Sequence, residues 1–289
     1  MSGGIRNYGI KSVRVWQMTV KSIRIKDATY AYKMDGVGEP LVLLHGFTGT
    51  KSTWDPFFDM LSSHFTVIAI DMPGHGDTVS DSPRTMEMFS EDLKCFLRAF
   101  NIDKAALLGY SMGGRAALSF ASTYPEHVSK LMLESASPGL KTEQERKERR
   151  EADRKLAEMI VDKGVLTFID FWENIPLFHT QKRLPEEAKK NIRTEREKQT
   201  SGGLSASLLH MGTGIQPSWW ENLKQLDIPV SLIAGSEDEK FVRINKEMNK
   251  KLPHSELNVV KDAGHAVHVE QAGKFVKIVR EFMEGKKIT

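Results

Sequence analysis

Cysteine is nearly missing from this chain: Cys95 is the only one in 289 residues. A single thiol excludes an internal disulfide and points to a reducing compartment, the cytoplasm. Cys95 also falls inside an amphipathic pattern (Met88, Phe89, Asp92, Leu93, Phe96, Phe100), so it is expected to be a buried packing residue rather than a nucleophile. No apolar run approaches the ~20 residues that cross a bilayer, so no stable membrane insertion is expected. The first 17 residues carry Arg6, Lys11 and Arg14 without an apolar core, which is not the pattern of a secretory signal. Met18 offers an alternative start, and residues 1–17 are expected to be an upstream extension. Charge excess is small: Lys and Arg number 41 against 38 Asp and Glu, a net +3. That is too weak to mark a nucleic-acid surface. Gly-x-Gly-x-x-Gly and the phosphate-cradling lysine motif are absent, and His265-x-x-His268 lacks the helical His-Glu-x-x-His pattern. No nucleotide cofactor and no metal are therefore expected.

What the chain does have is a turn motif. Ala105 to Leu108 is a short apolar run, and Gly109-Tyr110-Ser111-Met112-Gly113 follows it. Arg115 to Ala121 then reads as helix. Strand, Gly-x-Ser-x-Gly turn and helix together make the context of a nucleophile elbow. The helix behind Ser111 would point its free N–H groups at developing negative charge.

The rest of the chain fits around that turn. Apolar content is 40%, enough for one large domain with an insertion. Val20–Ile25 and Ala28–Met34 read as an edge hairpin. Leu41–Leu44, Phe65–Ile70, Lys130–Glu134, Ile228–Ala234 and Leu257–Val260 read as buried strands. Helical patterns lie between them, at Trp54–Leu61, Met86–Phe100 and Ala272–Met283. This alternation predicts a mainly parallel, doubly wound α/β sheet of about eight strands. From about Pro138 to Glu221 the strand rhythm stops. Helical periods alone remain, at Thr142–Lys163 (closed by Gly164), Val165–Trp172, Pro185–Gln199 and Leu204–Met211. The simplest organisation is a core of residues 18–138 and 222–289 with a helical cap at 139–221. Two stretches of that segment, Lys141–Lys155 and Lys189–Lys198, are densely charged and read as solvated helix faces with i,i+4 pairs.

A serine hydroxyl needs a histidine to take its proton, and the histidine needs a carboxylate to fix its tautomer. Both should follow strand ends, where open α/β sheets place their sites. Asp238 lies in Gly235-Ser236-Glu237-Asp238 and His265 in Asp262-Ala263-Gly264-His265. Glu237 and Glu239 compete with Asp238, and His268 competes with His265, although His268 reads better as the start of a helix packed on the sheet. The chain order Ser111, Asp238, His265 is that of α/β-hydrolases. An oxyanion needs two converging backbone donors. The N–H of Met112 is one candidate. The N–H of Phe47, in the loop His45-Gly46-Phe47 after an early strand, is the other.

HGFTG, DMPGHG, GYSMGG and AGSEDEKF with DAGH resemble the α/β-hydrolase superfamily across nearly the whole chain after residue 20. A narrower likeness runs through GYSMGGRAAL, ESASPGL, EQERKERREADR, FWENIPLF and SGGLSASLLHMGTGIQP. It resembles the 2-succinyl-6-hydroxy-2,4-cyclohexadiene-1-carboxylate synthases of menaquinone biosynthesis. That resemblance implies elimination of pyruvate from an enolpyruvyl cyclohexene, a small-molecule tricarboxylate. Three anions in a partly dry pocket call for guanidinium partners. Arg115 stands one helical turn past Ser111. By resemblance Arg149 and Arg196 are the other two, with Tyr110, Trp172 and His45 completing the substrate-binding set.

Overall fold

The apolar runs become the strands of one sheet. The computed structural model describes residues 21–286; the expected extension at residues 1–17 lies outside the described residues. In chain order the elements are β1 (Lys21–Ile25), β2 (Ala28–Asp35), β3 (Pro40–Leu44), α1 (Asp55–Ser62), β4 (Thr66–Ile70), β5 (Val79–Ser80), α2 (Met86–Ala99), β6 (Ala105–Tyr110), α3 (Met112–Thr123) and β7 (Val128–Glu134). Then come α4 (Glu143–Trp172), α5 (Glu186–Glu197), α6 (Ser201–Met211), β8 (Val230–Gly235), α7 (Glu239–Lys251), β9 (Ser255–Val260), α8 (Val267–Glu270) and α9 (Ala272–Met283). The sheet order is β1-β2-β4-β3-β6-β7-β8-β9, with the two-residue β5 added on β2. β2 is antiparallel to β1 and β4; from β4 to β9 every pairing is parallel. The chain thus has the α/β-hydrolase fold expected of it. β5 is the strand the sequence pattern did not reveal, being only two residues long.

Burial explains the placement of the elements. β6 lies in mid-sheet, every residue buried, with β3 on one side and β7 on the other. The α2 helix begins at Thr85, whose hydroxyl accepts from the Met88 N–H, a cap worth about 1 kcal/mol. It lays Phe89, Leu93, Phe96 and Leu97 against the same core that β3 and β6 feed. Cys95 is half-buried and packs on that core, a little more open than expected. The other face of the sheet holds Leu41, Leu43, Ala106 and Leu108 against Trp54, Phe58 and Phe275.

Between β7 and β8 no strand occurs among the described residues. α4 opens with a capping box, Thr142 and Glu145 bonding each other's backbone. Two expected helices run on as one element, kinked at Gly164, where φ is 81°. A run of 3-10 helix at Pro176–Arg183 was not foreseen. This helical insertion has its own small core, built from Ala157, Ile160, Phe168, Ile169, Leu204 and Leu208. No described helix is long and apolar enough to cross a membrane.

The turn after β6 is the tightest point in the molecule. A Cβ on Gly113 would lie 2.0 Å from the Leu44 carbonyl oxygen and 2.6 Å from that of His45. Those are backbone atoms and have nowhere to go. Gly202, exposed near the start of α6, has nothing within 4 Å of its virtual Cβ. Gly113→Ala should therefore lose at least the ~1–3 kcal/mol of an overpacked core or fail to fold. Gly202→Ala should gain about 0.5–1 kcal/mol from helix propensity. Urea unfolding of the two variants tests this, and equal effects would contradict it.

Candidate active site

Ser111 is the residue between β6 and α3, with φ 51° and ψ −105°. A non-glycine residue held there is strained, and strain of this kind, about 1–3 kcal/mol, persists only where the surroundings enforce it. Its N–H donates to the Glu134 carbonyl at 2.8 Å, and its own carbonyl accepts from the Arg115 N–H at 3.0 Å. The side chain is thereby pushed out at the C-terminal end of the sheet. His265 Nε2 lies 3.0 Å from Ser111 Oγ, and His265 Nδ1 lies 2.7 Å from Asp238 Oδ2. With Asp238 accepting from Nδ1–H, Nε2 is left to accept from the serine hydroxyl. Asp238 is held in turn by the Phe241 N–H at the start of α7, 3.2 Å away. Rings of Phe241 and Tyr110 flank the imidazole at 4.8 and 5.5 Å.

The competing residues are otherwise engaged. Glu237 binds Arg183 at 2.7 Å. Glu239 is the exposed first residue of α7, and it is Asp238 that meets His265 Nδ1. His268 starts the short helix α8, as expected, and both its N–H and its Nδ1 meet the buried Glu134 carboxylate at 2.9 Å. That carboxylate is a further residue the sequence pattern did not single out.

Ser111 and His265 open onto a cavity of about 380 Å³. Phe47, Tyr110, Met112, Arg115, Arg149 and Trp172 all line it. Arg115 donates Nη1 to the Met211 carbonyl at 2.9 Å and to Gln216 Oε1. Among the described residues no carboxylate pairs with it directly. Burial and the neighbouring charge of Arg149 pull its pKa down to about 9, so it stays charged at neutral pH. Arg149 pairs through Nε with Asp153 Oδ1 at 2.8 Å. Burial pushes the Asp153 carboxyl up, and its other oxygen has no hydrogen-bond partner. Lys240 adds a third cation to the lining. The cavity thus gathers positive charge beside an activated serine.

A family profile described as alpha/beta hydrolase fold matches residues 39–272. A Bacillus subtilis (strain 168) protein, provisionally named 2-succinyl-6-hydroxy-2,4-cyclohexadiene-1-carboxylate synthase, is 47% identical over 92% of this chain and 99% of its own. The protein of that name from Enterobacter sp. (strain 638) is 30% identical over 80% of this chain and 86% of its own. The chain belongs to this synthase family. Among solved structures, MenH from S. aureus matches with a TM-score of 0.86 at 34% identity, covering 90% of this chain and 99% of that one. A thermophilic esterase from Thermogutta terrifontis, with malate bound, matches at TM-score 0.82 and 25% identity, over 92% and 98% of the two chains.

Two residues expected from the synthase resemblance do not face the cavity. His45 is fully buried: its Nδ1–H donates to the Gly46 carbonyl at 2.8 Å and its Nε2 accepts from the Met72 N–H at 2.9 Å. Both ring nitrogens are used, so His45 is a structural brace rather than a substrate ligand. Arg196 lines a separate recess of about 60 Å³. It sits 5.1 Å from the Phe178 ring and 3.3 Å from Glu173, and burial lowers its pKa. Phe178 lines both spaces, as do Phe47 and Tyr110. Lys240, Asp153 and Phe178 are lining residues the sequence reading missed; Asp153 alone had a local signal, four residues past Arg149.

The buried histidines give a pH dependence. Burial depresses His45 from 6.5 to about 4 and His75 to about 3. The unfolded chain protonates these rings first, so their contribution is complete above pH 6.5 and is lost as pH falls toward 4. At ~1.4 kcal/mol per pH unit, His45 alone accounts for roughly 3 kcal/mol across that window. Denaturant titrations at several pH values should show stability falling from pH 6.5 to 4, with a shallower slope in His45→Gln. An unchanged slope would contradict the assignment.

Proposed function

We propose that this enzyme is a carbon–oxygen lyase of menaquinone biosynthesis, eliminating pyruvate from 2-succinyl-5-enolpyruvyl-6-hydroxy-3-cyclohexene-1-carboxylate. The product is 2-succinyl-6-hydroxy-2,4-cyclohexadiene-1-carboxylate. The observation that carries this reading is Arg115, a charged guanidinium without a carboxylate partner, on the wall of the cavity that Ser111 faces. A pocket for neutral esters gains nothing from it, because a desolvated cation is costly until an anion completes it.

The chemistry follows from the geometry. His265 takes the Ser111 hydroxyl proton, with Asp238 fixing its tautomer. Ser111 then removes the proton α to the succinyl ketone. The N–H groups of Phe47 and Met112 hold the enolate oxygen. As the enolate collapses, a double bond forms from the α carbon into the ring, the existing ring double bond shifts one position toward the leaving group, and the carbon–oxygen bond to the enolpyruvyl group breaks. The proton held by the dyad returns to the departing enolate, giving pyruvate. No acyl-enzyme forms and no water is consumed. Arg115 and Arg149 bind substrate carboxylates, with Tyr110 and Trp172 shaping the walls. Arg196 stays in the neighbouring recess, against the Phe178 ring. Residues 139–221 act as a cap that opens to admit the substrate.

Incubating the purified protein with the enolpyruvyl cyclohexene tests the reading. Pyruvate release together with conjugated-diene absorbance is expected. Turnover of neutral esters without either would favour a hydrolase. Arg115→Ala should lower kcat/KM for the carboxylated substrate at least ~30-fold, the ~2 kcal/mol of a charge-assisted hydrogen bond. Arg115→Lys should recover only part, since an ammonium lacks the bidentate fork. Wild-type kinetics for Arg115→Ala would remove the anion site.

A further inference from the structure

The loop carrying Phe47 is held from the helical insertion. Leaving β3, it turns tightly, with the Gly49 N–H on the Gly46 carbonyl at 3.0 Å. Thr48 adopts φ 71°. A β-branched residue in that region is an outlier and costs about 1–3 kcal/mol unless its surroundings enforce it. The enforcing groups lie at the C-terminal end of α5. Glu195 Oε1 accepts from the Thr50 N–H, the Thr50 hydroxyl and the Thr53 hydroxyl, each at 2.7 Å. Gln199, four residues on, donates Nε2 to the carbonyls of Thr48 at 3.3 Å and Gly49 at 3.1 Å. Its Oε1 accepts from the Gly76 N–H at 3.1 Å.

Gln199 lies two residues past the end of α5, and both side chains reach the loop. Their chemistry is complementary to it: an acceptor where the loop shows donors, a donor where it shows carbonyls. Past Thr50 the sheet takes over, through the Lys51 N–H on Asp71 Oδ1 at 2.6 Å. The Thr48 and Gly49 carbonyls and the Thr50 N–H and hydroxyl are all met by Glu195 and Gln199. Gln199 is itself buried.

We propose that Glu195 and Gln199 are positioning residues for the reaction, holding the strained loop so that the Phe47 N–H aims at the oxyanion only while the insertion is seated. This rests on the reading of Phe47 as an oxyanion donor. Closure over the substrate and completion of the oxyanion site are then a single event, and an open enzyme has one donor fewer. Loss of one such donor is worth ~10²–10³ in rate.

Steady-state pyruvate release and thermal unfolding are measured on the wild type and four variants. Glu195→Gln keeps an acceptor and should hold kcat within about threefold. Glu195→Ala removes it, and Gln199→Glu sets an acceptor against two carbonyls. Both should lower kcat at least ~10-fold with KM within about threefold, because the carboxylate-binding wall is untouched. Thr53→Ala, which loses one donor to Glu195 and a 3.2 Å acceptor of the Thr50 N–H, gives a milder fall in kcat and serves if the stronger variants do not fold. A purely structural role would lower the melting temperature and leave kcat unchanged; that result, or a rise in KM alone, overturns the proposal. A wild type that releases no pyruvate overturns the functional reading and the latch together, whereas an active wild type with unaffected variants overturns the latch alone.

Discussion

Ser111 stands in a backbone conformation that α3 and β6 impose by sheer proximity. Strand and helix meet so closely that a methyl group on Gly109 would lie 2.3 Å from the Gly113 carbonyl oxygen, and one on Gly113 would overlap the carbonyl at the end of the neighbouring β3. Everything chemical depends on that pinch. It exposes the hydroxyl at the sheet's C-terminal end, sets it 3.0 Å from His265 Nε2 and turns the first amides of α3 toward the same space. The strain costs about 1–3 kcal/mol, and the buried strand β6, flanked by the largely buried β3 and β7, holds it in place.

The insertion supplies what the sheet does not. Its helices bring Arg149, Asp153, Trp172 and Phe178 over the serine. Arg149 and Asp153 pair with each other there, and Arg115, which reaches the same cavity from α3, is the cation that becomes intelligible with a polyanionic ligand. The insertion also carries a small core separate from those of the sheet, so it is held to the rest in part by polar contacts. Glu195 and Gln199 provide the densest of these, and they fall on the loop that bears Phe47.

Much of this was legible in the sequence because it is local. Short apolar runs of buried strands, the glycines of the turn, the order Ser111, Asp238, His265 and the four-residue step to Arg115 all express themselves within a few positions. What was not legible depends on distant backbone. The loop motif put His45 at the mouth of the site, but whether its ring faces solvent or the protein is decided by the Met72 N–H, 27 residues away. Arg196 was placed among the substrate ligands by resemblance to the synthases, and nothing in FWENIPLF announces a 3-10 turn that sets Phe178 against it. Glu134 meets His268 across 134 residues, and Glu195 meets Thr50 across 145; neither pair shares a periodicity that a pattern could show.

The proposed elimination requires that Ser111 and His265 act as one base. A double-mutant cycle on pyruvate release tests it most directly, with Ser111→Ala, His265→Ala and the two combined. Each single change should cost at least the ~10²–10⁴ of general acid–base catalysis. Because neither residue works without the other, the double variant should be little slower than the worse single one. Losses that multiply would mean that the two act independently, and would contradict the coupled base on which the mechanism stands.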